Sequence, residues 1–71
     1  MNIQLPQGKQ SWPECVGKTA EEAKQIILGD NAHLDVQLLP EDSIVTMDYR
    51  MDRVRVFHDE NGIVKQAPNV A

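Results

Sequence analysis

Residues 39–52 constrain the fold most, because they separate two predicted strands and are not strand-like themselves. Pro40 has no backbone N–H to donate, so it marks the end of the preceding strand. Residues 41–43 are turn formers. A loop this long is uncommon in a small domain and is usually functional or disordered. Because it has no glycine and contains β-branched residues at 44–46, we interpret it as a stiff, extended loop displayed for binding.

The length of the chain limits how this loop is supported. Seventy-one residues predict one domain. A domain of about 60 residues buries only about 60% of its unfolded surface, so its stability margin is modest. Cys15 is the single cysteine, which excludes an internal disulfide. The hydrophobic core must therefore hold the fold.

The charge pattern argues against nucleic acid as a partner. Eleven acidic and seven basic residues give a formal net charge of −4, whereas nucleic-acid binders present a basic patch. The densest basic group is Arg50, Arg53 and Arg55, and Asp48 and Asp52 interrupt it. No apolar run approaches the ~18 residues of a membrane span. We therefore expect no nucleic-acid partner and no membrane partner. We also expect the protein to be a monomer.

The first ten residues differ in composition from the rest. They are polar, with Pro6 and Gly8, and show no periodicity. We expect residues 1–10 to form a mobile N-terminal tail and residues 11–71 to form the single domain. Residues 1–6 lack the basic start and long apolar stretch of a signal peptide. The protein is expected to be either cytosolic or a processed secreted or vacuolar form.

Candidate catalytic and metal-binding groups are sparse. A catalytic thiol at Cys15 would need a neighbouring histidine, and His33 and His58 are distant in sequence. Two lone histidines are poor evidence for zinc. The Glu21-Glu22 pair has a structural explanation at a helix start. We predict no catalytic residues, no metal and no cofactor.

A helix is predicted from Thr19 onwards. Thr19 and Glu22 have the spacing of a capping box, and Gly29 has the position of a left-handed stop. Cys15 is expected to be half-buried, and Trp12 to anchor the core beneath the helix. One apolar helix face follows the 3.6-residue spacing and comprises Ala20, Ala23, Ile26 and Ile27.

Three strands are predicted to accompany the helix. Residues 33–39 alternate between apolar and polar side chains, and so do residues 53–58. A turn at residues 59–62 uses Asn61-Gly62 for positive φ angles, and residues 63–67 then return antiparallel. The fold class is therefore α+β.

Arg53 and Arg55 lie on one face of the second strand, because side chains alternate along a strand. The loop offers them acceptors in the Asp48 carboxylate, the Thr46 hydroxyl and its own carbonyls. Arginine donates through a rigid fork suited to such acceptors, so the pair could tie an arched loop from beneath. A solvated polar strand face is the alternative. These residues alone do not decide between the two.

A series of short motifs runs through residues 11–71. They are Ser11-Trp12-Pro13-Glu14, Val16-Gly17-Lys18, Glu21-Glu22-Ala23-Lys24, Leu39-Pro40, Ile44-Val45-Thr46-Met47, Tyr49-Arg50, Asp52-Arg53-Val54-Arg55-Val56-Phe57 and Pro68. Each is weak evidence alone, but their order and spacing are specific. Together they resemble the potato type I serine protease inhibitor family.

The resemblance implies one helix packed on a small mixed β-sheet, with the first two strands parallel and a long exposed reactive-site loop. It also implies a non-enzyme that binds serine endopeptidases, with Met47–Asp48 as the scissile bond. The protease-contacting residues would be Ile44, Val45, Thr46, Met47, Asp48 and Tyr49. The loop-bracing residues would be Arg50, Arg53 and Arg55, which favours the brace over the solvated face.

Met47 would then enter the primary pocket of the protease. An unbranched apolar side chain suits the hydrophobic pockets of chymotrypsin-like and subtilisin-like enzymes, whereas trypsin prefers Lys or Arg. The predicted function is substrate-like inhibition of such proteases. The alternative is a non-inhibitory module that binds another protein through the same loop.

Overall fold

The computed structural model describes residues 10–71. Its elements are a 3-10 turn, one α-helix and three β-strands, which run in the order Pro13–Cys15, α1 Ala20–Asp30, β1 Asp35–Pro40, β2 Arg53–His58 and β3 Asn69–Val70. Of the predicted tail, residues 1–9 lie outside the described residues. Gln10 is described, and its carbonyl accepts a hydrogen bond from the Val70 N–H at 3.0 Å.

Helix α1 begins as its sequence predicts. The Thr19 hydroxyl accepts from the Glu22 N–H at 3.1 Å, and the Thr19 N–H donates to the Glu22 carboxylate at 3.1 Å. This capping box satisfies two donors that a helix start otherwise leaves unpaired. The Thr19 backbone N–H and the Thr19 hydroxyl both donate to the Glu22 carboxylate, and these two hydrogen bonds lower the pKa of Glu22 below its ordinary value.

The predicted helix stop at Gly29 is wrong. Helix α1 continues to Asp30, and the chain leaves it through Asn31 in an extended conformation with φ −153°. An extended exit needs no left-handed residue, so Gly29 has no such role. Asp30, the last residue of the helix, is bound by a side chain from outside the helix. The Trp12 indole N–H donates to the Asp30 carboxylate at 2.8 Å.

The sheet is mixed, as predicted, and its strand order is β1-β2-β3. β1 and β2 are parallel, with Asp35 opposite Arg53 at one end and Pro40 opposite His58 at the other. β3 runs antiparallel to β2. β2 has the predicted bounds, whereas β1 begins two residues later than predicted.

The third strand lies further along the chain than the sequence predicts. Within residues 63–67, Val64 forms only an isolated bridge with His58. Its backbone is otherwise paired with the segment before the helix, because the Val64 N–H donates to Lys18 O and the Gly17 N–H donates to Val64 O, both at 2.8 Å. The strand itself is Asn69–Val70.

The turn at residues 59–62 is stabilised by one carboxylate. Asp59 accepts from the N–H groups of Asn61 at 2.8 Å and Ile63 at 2.9 Å. The Ile63 hydrogen bond, followed by the Asn61 one, lowers the pKa of Asp59. Gly62 has the expected positive φ of 79°. The predicted positive φ at Asn61 is wrong, since within residues 10–71 only glycines have positive φ angles.

The core lies between α1 and one face of the sheet. Val54 and Val56 are fully buried there, as the alternation in β2 predicts. Cys15, expected to be half-buried, is fully buried. The apolar core residues are Trp12, Cys15, Ala20, Ala23, Ile27, Val54, Val56 and Val64. No helix within residues 10–71 is long and apolar enough to cross a membrane.

Candidate functional site

The parallel pairing of β1 and β2 determines the path of the loop at residues 41–52. β1 ends beside the end of β2, so the chain must return along the sheet before β2 can begin. At about 3.3 Å per residue, that return is roughly 16 Å. Both ends of the loop are fixed, because the Glu41 N–H donates to His58 O and the Asp35 N–H donates to Asp52 O, each at 2.7 Å.

The loop displays large apolar side chains to solvent. The Met47 side chain is 98% exposed, and Ile44 is fully exposed. Tyr49 and Met51 are also exposed. Val45 differs, because it is partly buried and lines, with Arg55 and Phe57, the space beneath the loop. Exposed apolar side chains concentrated in this way mark an interaction site.

Arg55 contacts the residue that precedes Met47. Its Nη1 donates to the Thr46 carbonyl at 3.1 Å and its Nη2 donates to the Thr46 hydroxyl at 3.0 Å. Nη2 also lies 3.7 Å from an Asp48 carboxylate oxygen. The Arg55 guanidinium therefore fixes both the backbone and the side chain of Thr46.

Arg53 contacts the residue that follows Met47. Its Nη2 donates to the Asp48 carbonyl at 2.8 Å, and its Nη1 donates to the Asp48 carboxylate at 3.3 Å. Its Nε donates to the Ala71 carbonyl at 3.0 Å. Arg53 is only 5% exposed, and a buried cation requires such acceptors. The predicted brace therefore describes these two arginines better than a solvated face.

Thr46 and Asp48 are also joined to each other, since the Thr46 hydroxyl donates to the Asp48 carboxylate. This hydrogen bond, followed by the one from Arg53, lowers the pKa of Asp48. The carboxylate is therefore ionised throughout the neutral range. The residues on either side of Met47 form one hydrogen-bonded unit with two arginines of β2.

Arg50, the third predicted loop-bracing residue, contacts a different part of the loop from Arg53 and Arg55. Its guanidinium pairs with the Asp52 carboxylate through two hydrogen bonds of 3.0 Å. Nη1 also lies 3.8 Å from the Asp35 carboxylate. These contacts connect the C-terminal end of the loop to the start of β1, rather than bracing residues 46–48. The physical reason is distance along the chain, because Asp52 is only two residues away and competes for the guanidinium.

The remaining candidate residues do not assemble into a site. His33 is exposed, and the His58 Nδ1 lies 3.0 Å from the Asp59 carbonyl. Across residues 10–71, no group of three or more His, Cys, Asp or Glu side chains is arranged to hold a metal ion. The Cys15 side chain is buried in the core. Among residues 10–71, the loop is therefore the candidate site.

Two contributors to the site were not identified from the sequence. Ala71 supplies a carbonyl to Arg53, and its own N–H donates to Arg53 O at 2.9 Å. Asp35 contributes to the ion pairs of Arg50. No residue type marks a backbone carbonyl as an acceptor, so Ala71 carries no sequence signal. The Asp35 contact could have been inferred from the parallel register, which places it beside Arg53.

Comparison with known proteins relates this geometry to a family. Residues 5–71 match the family model of the Potato inhibitor I family. "Subtilisin inhibitor 1" of Phaseolus angularis is 44% identical over 62 residues, which covers 87% of this chain and 67% of that protein. "Chymotrypsin inhibitor" of Lumbricus terrestris is 48% identical over 60 residues, which covers 84% of this chain and 70% of that protein.

A solved structure has the same fold. The crystal structure of bitter gourd trypsin inhibitor superposes with a TM-score of 0.89 at 41% sequence identity. The superposition covers 93% of this chain and 97% of that one. The agreement therefore extends over most of the chain rather than over a local motif.

Proposed function

Because the chain belongs to the Potato inhibitor I family and is a serine protease inhibitor, we propose that it inhibits by presenting residues 44–49 as a substrate-like loop. The scissile bond is Met47–Asp48, and Met47 is the residue that enters the primary pocket. One observation carries this proposal: Met47 is 98% exposed between two residues that are hydrogen-bonded to arginines of β2.

The character of Met47 selects the protease class. Its unbranched apolar side chain fits a deep hydrophobic pocket, and burying it contributes about 1.5–3 kcal/mol. Relatives of this chain are named as inhibitors of subtilisin and chymotrypsin. Trypsin carries an aspartate in its pocket and prefers Lys or Arg. The proposed targets are therefore chymotrypsin-like and subtilisin-like enzymes.

The hydrogen bonds of Arg53 and Arg55 to the loop, which together form the brace, strengthen its binding to the protease. A flexible peptide loses conformational entropy when a protease orders it, and a loop ordered in advance avoids much of that cost. The contacts from Arg55 to Thr46 and from Arg53 to Asp48 order the two residues next to the scissile bond. The apolar side chains then face outwards for the protease.

The same contacts explain how a substrate-like loop resists turnover. In a serine protease, attack on the Met47 carbonyl leaves an acyl-enzyme on Met47 and a new amine on Asp48. Arg55 holds the chain on the acyl side and Arg53 holds it on the amine side. Both arginines belong to β2, so the amine stays near the ester. Religation at high effective concentration then competes with hydrolysis.

Inhibition constants for chymotrypsin, subtilisin, elastase and trypsin test the proposal. We expect tight inhibition of chymotrypsin and subtilisin and much weaker inhibition of trypsin. A pattern in which trypsin is inhibited most tightly would contradict the assignment of Met47. If all four enzymes remained active, the chain would instead be a non-inhibitory binding module that uses the same loop.

A further inference from the structure

We propose that the Met47 thioether is a site of reversible oxidation by peroxides, and that its oxidation weakens inhibition while the fold stays intact. This inference rests on the proposed function, because it requires Met47 to enter the pocket of the protease. It adds a modification site and a class of reagent that the function alone does not supply.

Exposure makes Met47 the preferred target among the sulfur atoms of residues 10–71. A cysteine thiolate is ordinarily the more reactive group, but Cys15 is fully buried in the core. Met51 is 57% exposed and Met47 is 98% exposed. A small oxidant in solvent therefore meets the Met47 sulfur most readily.

The oxidation step is balanced. A peroxide transfers one oxygen atom to the thioether: its O–O bond breaks, an S–O bond forms, and water leaves when the peroxide is hydrogen peroxide. Sulfur loses two electrons and the peroxide gains them. Two thiols reverse the step by forming one disulfide and one water, with methionine sulfoxide reductase as the catalyst. No bond of the polypeptide is broken in either direction.

Oxidation changes the property on which the pocket selects. The sulfoxide is polar and accepts hydrogen bonds, whereas the pocket proposed for Met47 is apolar. Burying a polar group without a partner is unfavourable, and protein mutational data put this effect at roughly 5- to 150-fold in an equilibrium constant. We expect inhibition of chymotrypsin and subtilisin to weaken by roughly 10- to 100-fold.

The brace should survive the oxidation. The hydrogen bonds that order the loop end on the backbone and side chains of Thr46 and Asp48. The Met47 side chain points into solvent and lies outside the hydrophobic core. The modification therefore changes the contact surface and leaves its support unchanged.

The experiment treats the full chain with hydrogen peroxide and follows three readouts. Peptide mass mapping locates each added oxygen, inhibition constants for chymotrypsin and subtilisin report function, and the urea midpoint reports folding. Met47→Leu removes the target sulfur and keeps an apolar side chain. Met51→Leu is the matched control at the other exposed methionine of the loop.

We expect Met47 to be oxidised before Met51, and inhibition to fall in parallel while the urea midpoint stays constant. Inhibition by Met51→Leu should remain sensitive to peroxide. Inhibition by Met47→Leu, compared with the same variant before treatment, should not change. Methionine sulfoxide reductase with dithiothreitol should restore inhibition by the oxidised parent. If Met51 is oxidised first, the inference is overturned. The same holds if the Met47 sulfoxide form inhibits as tightly as the parent. Untreated protein that inhibits neither protease would instead refute the proposed function, so the two failures are distinct.

Discussion

At the scale of single residues, Met47 and its two neighbours have different roles in the loop. In the proposed mechanism Met47 contacts the protease, and Thr46 and Asp48 connect the loop to the sheet through their hydrogen bonds with β2. Since the exposed side chain takes no part in holding the loop, its identity is free to set specificity. Substitution at Met47 should therefore change which protease is bound, with little effect on stability.

Met47→Lys is the direct test of this division. A lysine would place its positive charge next to the aspartate of the trypsin pocket. The same charge would make binding in the apolar pocket of chymotrypsin less favourable. We expect trypsin inhibition to appear and chymotrypsin inhibition to weaken by at least ~10-fold, which corresponds to about 1.4 kcal/mol. Inhibition constants for both enzymes measure the change.

Met51→Lys introduces the same charge at an exposed methionine four residues away in the same loop. It should leave the preference between the two enzymes nearly unchanged. If Met47→Lys and Met51→Lys gave the same profile, the effect would be one of net charge, and another residue would occupy the pocket.

At the scale of elements, the loop and β2 form one unit. Alternation along β2 directs Val54 and Val56 towards α1 and the two arginines towards the loop. The arginines are not equivalent. The Nε of Arg53 donates to Ala71, whereas the buried Nε of Arg55 has no hydrogen-bond partner among residues 10–71. Within this part of the chain, the side-chain hydrogen bonds of Arg55 end on the loop, so Arg55 is the better position at which to test how the loop is held.

Arg55→Ala should loosen the loop without emptying the core. Losing a hydrogen bond from a charged group costs about 1.5–3 kcal/mol, and part of that loss should appear as weaker binding. The clearer effect is kinetic, because a loosened loop holds the new amine less well. We expect faster cleavage at Met47–Asp48. Mass spectrometry during incubation with subtilisin measures the rate of cleavage.

Arg50→Ala is the matched arginine control, since its guanidinium binds Asp52 and Asp35 rather than the residues next to Met47. Its rate of cleavage should stay close to that of the parent. Equal rates for Arg55→Ala and the parent, together with equal inhibition, would show that these hydrogen bonds do not hold the loop.

At the scale of the whole molecule, acidic side chains link stability to pH. Hydrogen bonds in the native state lower the pKa values of four carboxylates. These are Glu22 at the helix start, Asp48 and Asp52 in the loop, and Asp59 in the turn. Each releases its proton more readily in the native state than in the unfolded state. Their stabilisation is therefore fully present above about pH 4–5, where the unfolded forms are ionised too.

Stability should fall as the pH decreases from about 4 through the native pKa values, because the unfolded state then binds more protons. Asp59→Asn tests one contributor, since the amide oxygen still accepts from Asn61 and Ile63 but does not titrate. We expect this variant to be less stable than the parent at neutral pH, with the difference closing in acid. Urea unfolding at a series of pH values measures it.

Glu60→Gln removes one negative charge from the exposed neighbouring position and controls for net charge. A constant difference between Asp59→Asn and the parent at all pH values would contradict the linkage and assign the loss to packing of the turn.

The N-terminus gives a second test at this scale. Residues 1–10 are predicted from composition to be separate from the domain, but the structure shows that Gln10 accepts a hydrogen bond from Val70 in β3. Deletion of residues 1–9 should leave the urea midpoint and inhibition nearly unchanged. Deletion through Ser11 should lower the midpoint, because Val70 loses its acceptor and the bridge between Ser11 and Asn69 is lost. A large loss on the shorter deletion would show that the first nine residues pack on the domain.

The sequence by itself determined the features that depend on neighbouring residues. The capping box needs only Thr19 and Glu22, three positions apart, and both of its hydrogen bonds form. The faces of β2 follow from alternation within six residues, so the burial of Val54 and Val56 was predictable. The ordered motifs also identified the family correctly. The capping box and the strand faces depend on residues that are close in the sequence, and the family motifs occur at several positions along the chain.

Only the tertiary structure decided where distant backbone groups pair. β3 is two residues long and lies at Asn69–Val70, because Val64 is already bound to the segment before α1. Arg53 reaches the carbonyl of Ala71, which any residue type could supply. Such hydrogen bonds join groups 18 or more positions apart through the backbone. Because backbone groups are the same in every residue, the sequence does not mark which of them will meet.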